Sequence, residues 1–325
     1  MPLLDVGYRN WTGERTYASF RWLVVASTGI RLIWRGAWLK RLMVVLLIPS
    51  AVALFFFGVF EQSAEEPQYR NIIRSVFAAP EARATAARAG VNIAEVLSEP
   101  AESRHFVWSY MLFFLFRYPQ SFSMILVIGL IAPRLISFDL RSRGYLLYLS
   151  RPLTPAEYVL GKACVIFFLL AMIATAPALL IYLAGLFLSP NPWVLFSTWD
   201  IPLRVLLATA VLAIPTTAIA LAFSSLTQES RYAGFAWFAL WVVGSVTYQS
   251  LATADQFSRQ QPMRWGEYSH WMLFSPYETL GYLQQEVFGL TATVGTQWAP
   301  WGVILFVSVL GYAVAYWRVA RMLRV

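Results

Sequence analysis

Long stretches of this chain contain no charged residue, and they constrain its fold more than any other feature of the sequence. Of the 325 residues, 58% are hydrophobic and 13% are charged. Soluble domains are about 45–50% apolar and about 25% charged, so a soluble fold of this composition could not cover its surface with polar groups. A membrane helix needs about 20 mostly apolar residues to cross the bilayer. The sequence therefore predicts an all-α integral membrane protein, and its apolar content excludes a disordered chain.

Six membrane spans follow from the positions of these runs. The longest run, residues 163–199, is divided at Ser189-Pro190-Asn191-Pro192, because proline and the residue before it resist helix formation. The predicted spans are residues 42–60, 118–138, 163–188, 205–228, 232–251 and 299–317. They form a transmembrane domain over residues 42–325, with outer loops at 61–117 and 252–298. Residues 106–117 either extend the second span outward or lie at the membrane interface.

The distribution of Lys and Arg orients these spans. With the N-terminus inside, the inner segments hold 16 basic and 5 acidic residues, whereas the outer segments hold 8 basic and 12 acidic residues. Because short loops rich in Lys and Arg stay in the cytoplasm, we expect both termini to be cytoplasmic. The protein is expected in a cell membrane, and a bacterial inner membrane fits best. The net charge of +8 then reflects topology, and we expect no nucleic-acid partner.

The N-terminal segment, residues 1–41, is predicted to be a cytoplasmic tail followed by an interfacial helix. Apolar and aromatic residues alternate here with Arg, and Arg31 and Arg35 are spaced four apart on one helical face. Such a helix lies in the membrane interface. The alternative is a longer start of the first span, because Arg and Trp also anchor the ends of membrane helices.

Few polar residues accompany the spans. Arg117 is expected near the outer interface, with its side chain reaching toward water. Carboxylates are absent from the charge-free spans, and the two histidines, His105 and His270, are far apart in the sequence. We therefore expect neither a proton relay nor a metal site. Four hydroxyl-bearing residues either line a substrate path or pack between helices: Thr216, Thr217, Ser224 and Ser225.

The inner segment between the second and third spans, residues 134–162, carries the strongest pattern. It begins with a charged cluster at Asp139, Arg141 and Arg143, and it turns at Arg151-Pro152. The next residues, Thr154-Pro155-Ala156-Glu157, predict a helix start with Thr154 as N-cap, proline in the first turn and Glu157 completing a capping box.

This segment resembles the inner loop of ABC-2 type transporter membrane subunits. That loop has an acidic residue, Arg and Gly, then Pro-(Leu/Val)-(Ser/Thr), then Glu-Tyr-x-x-Gly-Lys. The matching residues here are Asp139, Arg141, Gly144, Tyr145, Pro152, Leu153, Thr154, Glu157, Tyr158, Gly161 and Lys162. Asp139 stands where the family usually has Glu. The six-span layout and the N-terminal amphipathic segment are similar to the family as well.

The resemblance implies a permease subunit, most simply of an exporter, that works by alternating access. A second permease copy, identical or related, would complete a dimer within membrane lipid. A separate cytoplasmic ABC ATPase would bind the ATP, so the chain itself needs no cofactor. Residues 134–162 would form a coupling helix in a cleft of that ATPase. The implied coupling residues are Asp139, Arg141, Arg143, Gly144, Tyr145, Arg151, Pro152, Glu157, Tyr158, Gly161 and Lys162. The arginines either pair with acids of the ATPase or only set the topology.

Catalytic motifs are missing from the sequence. A Walker A motif requires G-x-x-x-x-G-K-[ST], but Gly161-Lys162 is followed by Ala163, and Ala156 replaces the first glycine. Neither H-E-x-x-H nor G-x-S-x-G occurs, and Cys164 is the only cysteine. We therefore expect a transport subunit that is not itself an enzyme. A polytopic membrane enzyme and a non-energised membrane scaffold remain the alternatives.

Overall fold

A computed structural model describes residues 20–63, 66–98, 102–142, 153–189, 191, 193–259, 267–291 and 297–322. Within these ranges the chain is helical and contains no β-strand. Six helices are long and apolar enough to cross a membrane: α2 (Ala37–Ser63), α6 (Arg104–Arg141), α7 (Pro155–Leu188), α9 (Ile201–Leu226), α10 (Ser230–Arg259) and α12 (Trp298–Met322). The predicted all-α, six-span membrane fold is confirmed.

Shorter helices fill the connections between the long ones. The first outer connection contains α3 (Pro67–Phe77), α4 (Pro80–Arg88) and α5 (Ile93–Ser98). A one-turn helix, α8 (Val194–Ser197), precedes α9, and the second outer connection contains a short 3-10 helix (His270–Phe274) and α11 (Pro276–Val287). Proline occupies the first turn of α3, α4 and α11, where its missing N–H costs no intrahelical hydrogen bond.

Residues 106–117 belong to α6, which decides between the two alternatives for this segment. The helix stays continuous because a π-helical turn at Phe116–Gln120 accommodates Pro119, whose ring would otherwise clash with the preceding turn. Nearby hydroxyls satisfy carbonyls in this turn: Ser121 Oγ donates to Phe116 O at 2.8 Å, and Ser123 Oγ donates to Pro119 O at 2.7 Å. A second π turn, Ala171–Thr175, precedes Pro177 in α7.

Helix α9 occupies the centre of the fold. It packs against α12, α7, α10, α11 and the second half of α6. Its closest approach is to α12, where a Cβ atom on Gly311 would lie 2.8 Å from the carbonyl oxygen of Ala218. All four hydroxyl-bearing residues named above lie on α9 and are buried. Ser224 Oγ donates to Pro133 O at 3.0 Å and accepts from the Ile136 amide at 3.0 Å. These contacts support the packing interpretation.

The N-terminal segment folds as a separate helix, α1 (Arg21–Trp34), which a break at Arg35-Gly36 divides from α2. It is therefore not a longer start of the first span. Helix α1 packs against the first half of α7. A Cβ atom on Gly161 would lie 2.9 Å from Trp22 O, and one on Gly29 would lie 2.7 Å from Val165 Cγ2. Glycine at these two positions allows the backbones to approach closely.

Candidate functional site

Three predicted coupling residues meet at the base of the inner segment, where α6 ends and α7 begins. Lys162 Nζ lies 2.8 Å from Asp139 Oδ2, and the Tyr158 hydroxyl donates to the same oxygen at 2.6 Å. The Lys162 ammonium also lies 5.3 Å from the centroid of the Tyr158 ring. We refer to Asp139, Tyr158 and Lys162 as the Asp139 cluster.

Local helix geometry explains why the Asp139 cluster forms. Tyr158 and Lys162 are four residues apart on α7 and therefore share one face, and that face lies against the end of α6. The Lys162 side chain is only 9% exposed and that of Asp139 only 17%. A charge this deeply buried is costly without its partner, so the cluster fixes both ends of the inner segment relative to each other.

The predicted helix start at Thr154 is confirmed. Thr154 Oγ1 accepts from the Glu157 amide at 3.3 Å, while Glu157 Oε2 accepts from the Thr154 amide at 2.8 Å. This is a complete capping box with Pro155 in the first turn. The Glu157 carboxylate thus already has partners within the chain.

Arg141 makes an exposed contact that the sequence did not predict. Its Nη1 lies 3.3 Å from Glu229 Oε2, which joins the end of α6 to the short turn between α9 and α10. Exposed pairs of this kind contribute at most about 1 kcal/mol. In the sequence, the only indication of this contact is that Arg141 and Glu229 carry opposite charges and lie at the inner ends of predicted spans.

The remaining predicted coupling residues divide into two groups. Gly161 lies against α1, as described above, so its close packing supplies a structural reason for glycine. The other group lies outside the described residues: Arg143, Gly144, Tyr145, Arg151 and Pro152. The described coupling residues thus lie at the two ends of the inner segment, where α6 ends and α7 begins.

The inner segment has an excess of basic residues. Residues 134–162 contain five basic and two acidic residues. Both acidic residues, Asp139 and Glu157, are engaged within the chain. Two of the basic residues, Arg141 and Lys162, are paired within the chain as well, so the excess of positive charge rests on Arg134, Arg143 and Arg151.

In the first half of α6, the structure corrects the expectation for Arg117. Its side chain does not reach toward water. It is 13% exposed, its Nη2 lies 2.6 Å from Glu278 Oε2, and its Nη1 donates to Tyr277 O at 2.7 Å. The guanidinium carbon lies 4.0 Å from the centroid of the Tyr277 ring. These partners are about 160 residues away, and no local pattern could have indicated them.

Carboxylates also lie within the long helices, which extend beyond the charge-free runs. Glu61, near the end of α2, accepts two hydrogen bonds from Arg104 at 3.0 Å and one from the Trp108 indole at 3.0 Å. At the start of α9, Asp200 lies 3.0 Å from His105 Nε2 and 2.6 Å from Arg204 Nε. Among the described residues, no group of three or more His, Cys, Asp or Glu could hold a metal ion.

Comparison with known proteins assigns the chain to a family. The family model described as "ABC-2 family transporter protein" matches residues 41–322. No curated protein matches the chain. The match covers the six long helices almost completely, together with the Asp139 cluster and the inner segment. This chain therefore belongs to the ABC-2 family of transporter proteins.

Proposed function

We propose that this chain is the transmembrane subunit of an ATP-driven exporter. A separate cytoplasmic ABC ATPase binds and hydrolyses ATP, and the chain needs no cofactor of its own. Two permease chains, identical or related, enclose the substrate path within the lipid of a bacterial inner membrane. Both termini lie in the cytoplasm, and α1 lies in the inner membrane interface. The apolar spans suit an amphipathic or hydrophobic substrate.

The Asp139 cluster is the observation that carries this proposal. A partner that closes on the inner segment can move α6 and α7 only if the ends of the segment are rigidly joined to both helices. The buried ion pair and the tyrosine hydrogen bond provide that joint. Helices moved as rigid bodies can then expose a site alternately to the two sides of the membrane.

The test is to remove and then restore the ion pair in the complex of permease and ATPase. We expect Lys162→Met to lower the ATPase activity that depends on the permease by about fivefold or more, the lower end of usual coupling energies between sites. The exchanged pair Asp139→Lys with Lys162→Asp should recover part of it, because the opposite charges are again adjacent.

Lys40→Met is the matched control, since it makes the same substitution at an exposed lysine of α2 that is not among the predicted coupling residues. We expect it to change the activity by less than about twofold. If the exchanged pair has no more permease-dependent ATPase activity than Lys162→Met alone, the ion pair does not couple α6 and α7 to the ATPase. A purified chain with no co-purifying ATPase would argue against the whole proposal.

A further inference from the structure

A cavity of about 370 Å³ lies far from the Asp139 cluster. Arg117 lines it, and Arg117 is 22 residues from Asp139 along α6, or about 33 Å at 1.5 Å per residue. The walls are formed by α4, α6, α10, the 3-10 helix and α11. Ligand pockets typically enclose about 300–1,000 Å³. We call this space the Tyr248 cavity, after the tyrosine that α10 contributes to it.

The side chains that line the Tyr248 cavity carry a small excess of negative charge. Its lining includes three carboxylates and two guanidinium groups, so its formal charge is −1, in a chain whose net charge is +8. The lining charged residues are Glu81, Glu267, Glu278, Arg88 and Arg117. A further carboxylate, Glu286, is buried beside Tyr282.

Both guanidinium groups are held by the chain. Arg117 is fixed by Glu278 and the Tyr277 carbonyl, as described above. Arg88 Nη2 donates to Thr85 Oγ1 at 3.1 Å, and the Gln285 amide accepts from the same nitrogen at 2.7 Å when its oxygen faces Arg88. Burial lowers the pKa of Arg88, although Glu267 and Glu81 act in the opposite direction. These cations are therefore poorly placed to bind an anion in the cavity.

Tyrosine rings form much of the cavity wall: Tyr118, Tyr248, Tyr277 and Tyr282. Burial raises the pKa of Tyr282 to about 12, and Glu286 adds to the effect, so this ring stays neutral. The Tyr277 ring already holds the Arg117 guanidinium at 4.0 Å. The wall thus binds one cation of the chain itself, through the attraction between a positive charge and an aromatic face.

We propose that the Tyr248 cavity is a binding site for an organic monocation, such as a substituted ammonium group. An excess of carboxylate and several tyrosine faces together favour such a ligand over an anion. Because Arg117 compensates the charge of Glu278, the excess of negative charge comes from Glu81 and Glu267, opposed by Arg88. Tyr118 donates to Glu81, which leaves this carboxylate fewer lone pairs for a small metal ion. This site needs neither ATP nor a partner chain, so it is independent of the proposed transport function.

Calorimetric titration of the purified full chain in neutral detergent tests the proposal. The probe is benzyltrimethylammonium, and benzyl alcohol and benzenesulfonate are compared with it because they carry the same ring with no charge and with a negative charge. We expect saturable binding of the cation at least about tenfold tighter than binding of either control ligand. The absence of saturable cation binding, or equal binding of the alcohol, would overturn the proposal.

Two variants assign the binding to this cavity. Glu81→Gln removes one carboxylate but keeps an oxygen that can accept from Tyr118, and it should weaken cation binding by about tenfold. Tyr248→Leu removes one ring and should weaken it by about two- to fivefold. The matched controls are Glu102→Gln, which has the same change of charge outside the lining, and Tyr232→Leu, at the other end of α10.

Equal cation affinities of Glu81→Gln and Glu102→Gln would place the binding elsewhere and contradict the assignment. If Glu81→Gln fails to fold, Glu267→Gln serves instead, because Glu267 is exposed and lies outside the long helices. Since the readout is binding to the chain alone, the result does not depend on whether an ATPase co-purifies.

Discussion

The most deeply buried ion pair of the described residues joins Glu61 to Arg104, with side chains 1% and 10% exposed. Removing one partner leaves an uncompensated charge, so we expect Arg104→Met to lower the free energy of unfolding by about 3–5 kcal/mol. The Trp108 indole would still donate to Glu61 but cannot neutralise it. Thermal unfolding of the purified protein, followed by tryptophan fluorescence, measures this effect.

A double variant distinguishes the cost of leaving Glu61 unpaired from the cost of losing the packing of the Arg104 side chain. Because an apolar replacement of both partners leaves no buried charge, Glu61→Leu combined with Arg104→Met should be more stable than Arg104→Met alone. A double variant that is less stable than either single variant would show that the pair itself supplies net stability.

Arg117 occupies the space that a side chain at position 281 would fill. A Cβ atom at Gly281 would lie 2.0 Å from Arg117 Nη1. We expect Gly281→Ala to displace the guanidinium from Glu278 and to lower the unfolding temperature, although alanine is normally the better helix former by about 1 kcal/mol. Gly302→Ala in α12 is the control, because a Cβ atom there meets nothing within 4 Å. Equal unfolding temperatures of the two variants would contradict this account.

At the scale of whole elements, local sequence patterns were sufficient to predict the long helices and the start of α7. Charge-free runs predicted the six spans, and the Thr154 capping box depends on residues within a single turn. The helices continue beyond the charge-free runs because their end residues carry paired charges: Glu61 extends α2, and Asp139 lies in the last turn of α6.

The contacts between elements could not be predicted in the same way. Asp139 and Lys162 were both identified as coupling residues, but their ion pair depends on how α6 lies against α7. The pairing of Arg117 with Glu278 joins α6 to α11 across about 160 residues. A single sequence contains no information on such separations, and the expectation of an exposed Arg117 was wrong for that reason.

For the whole molecule, burial differs greatly among the six long helices. Helices α6 and α9 are the most buried, although α9 exposes several leucines, whereas α2, α10 and α12 carry large exposed apolar residues along their length. In a membrane these apolar faces meet lipid or, in the proposed dimer, a second permease chain. The Asp139 cluster lies at the end of α6, and Arg117, which lines the Tyr248 cavity, lies about 33 Å away along the same helix. With α6 crossing the membrane as proposed, this separation would put the proposed coupling site and the proposed cation site on opposite sides of the bilayer.

This arrangement makes the orientation of α6 the property to measure. Glu102 and Ser142 flank α6 and are both exposed, and the half-buried Cys164 can be replaced by alanine so that each new cysteine is the only one. We expect a membrane-impermeant maleimide to label Glu102→Cys in intact cells and to label Ser142→Cys only after permeabilisation. The physical reason is the excess of Lys and Arg around Ser142, because such loops stay in the cytoplasm. The reverse pattern would place the Asp139 cluster outside the cell, where no ATPase could reach it, and would remove the basis of the proposed transport mechanism.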